Sequence, residues 1–111
     1  MTSELARVEL ASAVQAAVRA RRVLNGERLH DRIDADTGEH GRIFLAAFRP
    51  GTVVPSARDL VRRYRLRTLD AIHLAVAVED VPLYAGSDDI VLVTRDADQA
   101  AAARSLGLAV R

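Results

Sequence analysis

Residues 90–110 read IVLVTRDADQAAAARSLGLAV, and this segment decides the fold class. The continuous apolar run Ile90–Thr94 is typical of a strand that is buried on both faces of a parallel sheet. An alanine-rich helix is predicted over residues 98–106, Gly107 ends it, and Leu108–Val110 predicts a last strand. A strand, a helix and a second strand in this order imply a layered α/β domain with parallel pairing.

Upstream of this segment, helix-forming composition and breaker residues predict five helices and one short strand. The β-branched run Thr52–Val54 is closed by Pro55, which predicts a buried strand. Thr2 or Ser3 is available to cap the first helix, and Asn25-Gly26 is available to stop it. The helices are predicted over residues 2–24, 27–36, 42–48, 57–64 and 69–79.

Composition limits the function classes that are open to this chain. Its 111 residues carry a formal net charge of +1 and are half apolar, which predicts one domain over residues 1–111. There is no cysteine, which excludes a disulfide framework, a thiolate zinc site and a cysteine nucleophile. No apolar run approaches the roughly 20 residues that cross a bilayer, so we expect a cytoplasmic protein without a membrane partner.

Two acidic residues interrupt apolar helix faces. Glu9 shares a face of the first helix with Leu5, and Asp70 lies one helical turn from a leucine on either side. Burying an ionised carboxylate costs several kcal/mol unless a cation or hydrogen bonds compensate. One explanation is that each acid is half-exposed and paired with an arginine, for instance Arg7 or Arg67.

A third acid favours a metal ion as the compensating cation. Asp96 stands just past the carboxyl end of the apolar strand Ile90–Thr94, and ligands bind at that edge of open parallel sheets. Asp96 or Asp98 is also a good cap for the helix that follows. Together, Glu9, Asp70 and Asp96 resemble a hard-cation site, because their oxygen ligands suit Mg²⁺ or Mn²⁺.

Three segments carry a resemblance to a known family. Residues 2–10 (TSELARVEL), 66–75 (LRTLDAIHLA) and 91–108 (VLVTRDADQAAAARSLGL) resemble the PIN-domain ribonucleases in order and spacing. The closest type is the VapC toxin of bacterial toxin–antitoxin pairs; the middle motif is fairly specific, and the other two are supportive. The resemblance spans nearly the whole chain, and it implies a PIN-like three-layer α/β domain in which helices flank a short, mostly parallel sheet.

The resemblance also implies an activity and partners. It implies an endoribonuclease that cleaves single-stranded RNA with one or two Mg²⁺ or Mn²⁺ ions, which Glu9, Asp70 and Asp96 would hold. Asp98 is an alternative to Asp96, and Thr94 matches a position that orients the attacking water or a ligand carboxylate. The partners implied are a cognate VapB-type antitoxin, whose tail would place an arginine or lysine among the carboxylates, and a second copy in a homodimer.

The chain departs from the family pattern at its N-terminus. A PIN domain of this type opens with a hydrophobic strand that ends in an aspartate and is followed by two helices, and no equivalent is present here. We therefore expect either an N-terminally incomplete version, in which three acids bind metal weakly, or a natural remnant that borrows a strand or has lost activity. The alternative function is accordingly a degenerate, non-catalytic PIN-like module that binds other proteins.

One basic cluster stands out against the near-neutral total charge. It comprises Arg58, Arg62, Arg63, Arg65 and Arg67. A groove that tracks phosphates explains the cluster, and a solvated helix face with Asp59 paired to Arg63 explains it equally well. His73, one turn from Asp70, is predicted to be a packed core histidine. The RNA contacts are predicted at Arg62, Arg63, Arg67 and Arg95.

Overall fold

A computed structural model describes all 111 residues, which form two compact units, Met1–Ala46 and Ala47–Arg111. Each unit combines helices with one pair of parallel strands, so the predicted α/β class with parallel pairing is confirmed. No helix has both the length and the apolar character needed to span a membrane. The elements in chain order are β1 Thr2–Ser3, α1 Ala6–Arg19, α2 Gly26–Thr37, β2 Leu45–Ala46, α3 Pro50–Arg63, α4 Thr68–Glu79, α5 Val81–Ala85, β3 Val91–Leu92, α6 Ala97–Ser105 and β4 Ala109–Val110.

In the first unit, α1 packs against α2, and β1 pairs in parallel with β2. The Asn25 side chain caps α2 by accepting a hydrogen bond from the Arg28 N–H at 3.0 Å. A Cβ atom on Gly26 would lie 2.8 Å from a methyl carbon of Val18, so glycine allows α2 to start close to α1. The Asn25-Gly26 pair therefore begins a helix, and α1 has already ended at Arg19.

Two helix predictions in the first unit need correction: the first helix is shorter than predicted, and the helix over 42–48 does not form. Thr2 and Ser3 lie in a strand rather than in the first helix, and the Thr2 N–H donates to the Phe44 carbonyl at 2.9 Å. The segment predicted as a helix over 42–48 contains β2 instead. Pairing between segments that are distant in sequence overrides local helix propensity at both places.

The second unit is built around α4. This helix packs against α3, α5 and α6, and its residues Ala71, Leu74, Ala75 and Val76 are buried. The predicted helix over 69–79 is confirmed, because α4 covers the same residues and starts one earlier. Two strands of this unit, β3 and β4, pair in parallel.

The strand predicted at Thr52–Val54 is wrong, because these residues lie within α3. Pro50 occupies the first turn of the helix, where its fixed φ and missing N–H are tolerated. Val53 is fully buried on the core side of α3. A short β-branched run thus serves as the buried face of a helix, which periodicity over three residues cannot distinguish from a strand.

The strand–helix–strand segment forms, but its first strand differs from the prediction. Only Val91–Leu92 are paired, and Val93 is 79% exposed, so the run 90–94 is not buried on both faces. The predicted last helix and strand are confirmed as α6 and β4. Gly107 has φ +86°, a conformation that glycine adopts at no steric cost, and this lets the chain leave α6 for β4.

Candidate metal site and basic surface

Asp70 lies in the first turn of α4, where its carboxylate is paired with the arginine just before the helix. The Nε of Arg67 donates to Oδ2 of Asp70 at 2.9 Å. The Asp70 side chain is 21% exposed, while that of Arg67 is 82% exposed. Pairing of Asp70 with an arginine, one of the two explanations for an acid on this face, is therefore confirmed.

Asp96 caps α6 and uses its two carboxylate oxygens differently. Oδ1 accepts a hydrogen bond from the Gln99 N–H at 2.7 Å. This bond gives a partner to one N–H group of the first turn of α6, which has none within the helix. Oδ2 lies 3.8 Å from a terminal guanidinium nitrogen of Arg67. One oxygen is thus fixed in the cap, and the other faces the same cation that Asp70 binds.

Thr94 and Gln99 hold these acids in position. The Thr94 hydroxyl accepts a hydrogen bond from the Asp96 N–H at 3.1 Å, so Thr94 orients an acidic residue through its backbone. The buried Gln99 side chain donates through Nε2 to the Asp70 carbonyl at 3.0 Å and so joins α6 to α4. Gln99 was not predicted from the sequence, because one glutamine beside an alanine run carries no signal of a buried role.

The electrostatics at this point centre on Arg67. Its hydrogen bond to Asp70, the charge of Asp70 and the more distant charge of Asp96 raise the pKa of Arg67 above its ordinary value. The guanidinium is exposed to solvent, so these attractions are screened. Two carboxylates of the second unit therefore share one cation that solvent can reach.

The donor chemistry of this pair fits a hard divalent cation. Asp70 and Asp96 offer carboxylate oxygens, the ligand type that Mg²⁺ and Mn²⁺ prefer, and both already face one positive group. In neither unit do three or more His, Asp or Glu side chains form a group that could hold a metal ion. Glu9 is half-buried on α1 of the first unit, and Asp98 is exposed on the first turn of α6.

The arginines of the predicted basic cluster are exposed: Arg58 lies within α3, Arg62 and Arg63 at its end, and Arg65 and Arg67 in the link to α4. Arg63 lies over the ring of Tyr64, 5.4 Å from its centroid, and the predicted ion pair between Asp59 and Arg63 is not formed. The predicted RNA-binding residues Arg62 and Arg95 are also exposed. Exposed guanidinium groups that take part in no ion pair, those of Arg62 and Arg95 among them, are suited to phosphate binding.

A second arginine–aspartate pair in this unit was not predicted from the sequence. Asp80, between α4 and α5, is 1% exposed, and its Oδ1 accepts a hydrogen bond from Nε of Arg49. Arg49 also donates to the Glu79 carbonyl at 3.2 Å. Oδ2 of Asp80 has no hydrogen-bond partner.

His73, predicted to be packed in the core, is half-buried on α4.

Comparison with known proteins identifies no relative of this chain. No protein-family model, no curated protein and no solved structure matches it.

Proposed function

We propose that this chain is an endoribonuclease domain of the VapC type, which cleaves single-stranded RNA with Mg²⁺ or Mn²⁺. The observation that carries the proposal is the approach of the Asp70 and Asp96 carboxylates to a single cationic group. Exposed arginines on the same unit add the second requirement of a nuclease, since they attract the phosphate backbone that the acids would repel. The PIN-like three-layer architecture belongs to this proposal.

Each residue has a defined task in the proposed site. Asp70 and Asp96 would hold the ion, and Asp96 would keep the cap of α6 through Oδ1. Glu9, on α1 of the first unit, is the further acid that the family pattern implies. Thr94 fixes the backbone of Asp96. A bound ion would supply the activation of water for in-line attack and stabilise the leaving oxygen.

The proposed partners follow from the same chemistry. The carboxylate pair accepts a guanidinium from Arg67, which supports an antitoxin of the VapB type whose arginine or lysine would occupy this position. RNA would contact Arg62, Arg63, Arg67 and Arg95, all of which are exposed. A homodimer and a cytoplasmic location complete the proposal on the family pattern.

Cleavage of a fluorescent single-stranded RNA in the presence of Mn²⁺ tests this function. We expect cleavage by the wild-type chain and a loss of at least tenfold in Asp70→Asn and Asp96→Asn. Asparagine also caps helices, so Asp96→Asn removes the charge of Asp96 and keeps the cap of α6. Asp89→Asn is the matched control, because it removes an exposed carboxylate of the same unit that takes part in no ion pair. An inert wild-type chain, or cleavage that survives both substitutions, contradicts the proposal.

A non-catalytic protein-binding module is the second candidate. The observations that favour it are that Arg67 forms ion pairs with both acids and that the second unit holds no group of three ligands. A module of this kind would bind no Mn²⁺ at Asp70 and Asp96. Calorimetric titration of the wild-type chain and Asp70→Asn with Mn²⁺ separates the candidates, because only the nuclease predicts binding that the substitution abolishes.

A further inference from the structure

We propose that Arg67 is the resident counter-cation of the Asp70–Asp96 pair, and that a divalent ion binds there by displacing the Arg67 guanidinium. The inference rests on the proposed function, because it takes these two carboxylates as metal ligands. It adds a competition between an internal cation and the metal. It also changes the predicted role of Arg67, which becomes available to RNA only after the ion is bound.

The Arg67 guanidinium lies against both carboxylates that would hold a shared ion. Its Nε is 2.9 Å from Oδ2 of Asp70, and a terminal nitrogen is 3.8 Å from Oδ2 of Asp96. Oδ2 is the oxygen of Asp96 that the cap of α6 leaves available, because Oδ1 accepts from the Gln99 N–H. An ion shared by the two carboxylates would therefore compete with Arg67 for this position between them.

The acids are anchored, whereas the arginine is free to move. Asp96 is held by its cap and by Thr94, and the backbone of Asp70 is tied to α6 through Gln99. The Arg67 side chain is 82% exposed and makes no other hydrogen bond or ion pair. Because the guanidinium is already solvated, its departure would leave no buried donor unpaired, and displacement requires only local rotation of one side chain.

Charge makes simultaneous occupancy unfavourable. A divalent ion at this position and a guanidinium a few ångströms away repel each other, so metal affinity is lower while Arg67 remains in place. A displaced guanidinium regains all five of its N–H donors, which match a phosphate oxygen pair. Metal binding and phosphate binding are then positively coupled, and linkage makes that coupling reciprocal.

Titration with Mn²⁺, followed by the electron paramagnetic resonance signal of the free ion, tests the displacement. We expect Arg67→Ala to bind Mn²⁺ roughly three- to tenfold more tightly than wild type, the range for losing one or two screened ion pairs. Arg65→Ala is the matched control. It removes the same charge two residues away, from an exposed arginine that contacts neither acid, and we expect little change.

A second measurement observes the side chain itself. The Arg67 Nε–H signal in a proton–nitrogen spectrum should move or broaden when Mg²⁺ is added to wild type, as its bond to Asp70 breaks. The same signal of Arg65 should stay unchanged.

Equal Mn²⁺ affinity in wild type and Arg67→Ala, with an unmoved Arg67 signal, overturns the displacement while the proposed metal site stands. Absence of Mn²⁺ binding in every variant contradicts the proposed function and removes this inference with it.

Discussion

Two arginine–aspartate arrangements lie in the second unit, and they differ in how much water they meet. Arg49 and Asp80 form a pair whose carboxylate is buried, with one oxygen unpartnered. Arg67 bridges Asp70 and Asp96 at a position where the guanidinium is solvated. Exchange of the cation in the first arrangement is costly, because loss of Arg49 would leave the buried charge of Asp80 uncompensated. The second can exchange its cation at low cost.

This contrast explains why the exposed arrangement is the candidate site. Burial turns the Arg49–Asp80 pair into a structural connection between the start of α3 and the junction of α4 and α5. Exposure leaves Asp70 and Asp96 within reach of a metal ion or of another cationic group from solution. An acid that lies near an arginine is therefore not excluded as a ligand; what decides is whether the arginine can leave.

The largest effect is expected from Arg49→Ala. This substitution should lower the free energy of unfolding by about 3 kcal/mol, the lower end for breaking a buried pair, because Arg49 itself is partly exposed. Urea unfolding followed by circular dichroism measures the loss. Arg67→Ala is the control and should leave the midpoint close to wild type. Equal midpoints for the two variants would mean that burial does not distinguish the two arrangements.

A smaller effect is expected at Asp96, where the capping of α6 and the proposed binding of metal can be tested separately. Asp96→Ala should lower the free energy of unfolding by about 1 kcal/mol, because it removes the cap of α6. Asp96→Asn should restore most of this stability, because the amide oxygen also accepts from the Gln99 N–H, but it should not restore Mn²⁺ binding. Urea unfolding and Mn²⁺ titration of both variants are the measurements. Recovery of metal binding in Asp96→Asn would show that its charge is not needed.

The smallest effect is expected in the first unit, where one acid contacts two arginines instead of one arginine contacting two acids. There, one carboxylate lies between two guanidinium groups: Asp36 accepts from Arg32 at 3.0 Å and from Arg42 at 3.0 Å. Hydrogen bonds from Arg32 and then Arg42 lower the pKa of Asp36 below its ordinary value. A carboxyl whose pKa is lower in the folded state adds stability above its unfolded pKa of about 3.9 and loses it as the pH falls through the folded pKa.

The loss of stability as the pH falls below about 4 should therefore be shallower in Asp36→Asn than in wild type. Urea unfolding at a series of pH values measures it. Asp34→Asn is the matched control on the same helix, since the nearest guanidinium to Asp34 is 3.9 Å away, and it should follow wild type more closely. Superimposable curves for wild type and Asp36→Asn would contradict the account of this pair.

The sequence predicted those elements whose signals are local. Helix α4 and the α6–β4 segment were found because their apolar spacing, Asp96 cap and Gly107 stop lie within a few residues of one another. The two-residue strands β1 and β2 were missed, since each exists only through pairing with a distant partner. The run Thr52–Val54 was too short to show the period of a helix.

The candidate site also has a part that local sequence predicts and a part that depends on packing. Asp70 and Asp96 were selected as ligands from their places in the sequence, and Arg67 was one of the arginines considered as a partner for a helical acid. That one guanidinium serves both acids depends on how α4 and the start of α6 are packed, which no local pattern contains. The pairing of Arg49 with Asp80 was missed for the same reason, because an acid at a helix end usually stays in solvent.

Diffraction from crystals soaked in Mn²⁺ tests the central claim most directly, because the anomalous signal locates the ion. The account predicts one peak within about 2.5 Å of Oδ2 of both Asp70 and Asp96, with the Arg67 side chain turned away from them. Crystals that show no peak there, with Arg67 still bonded to Asp70, would contradict it.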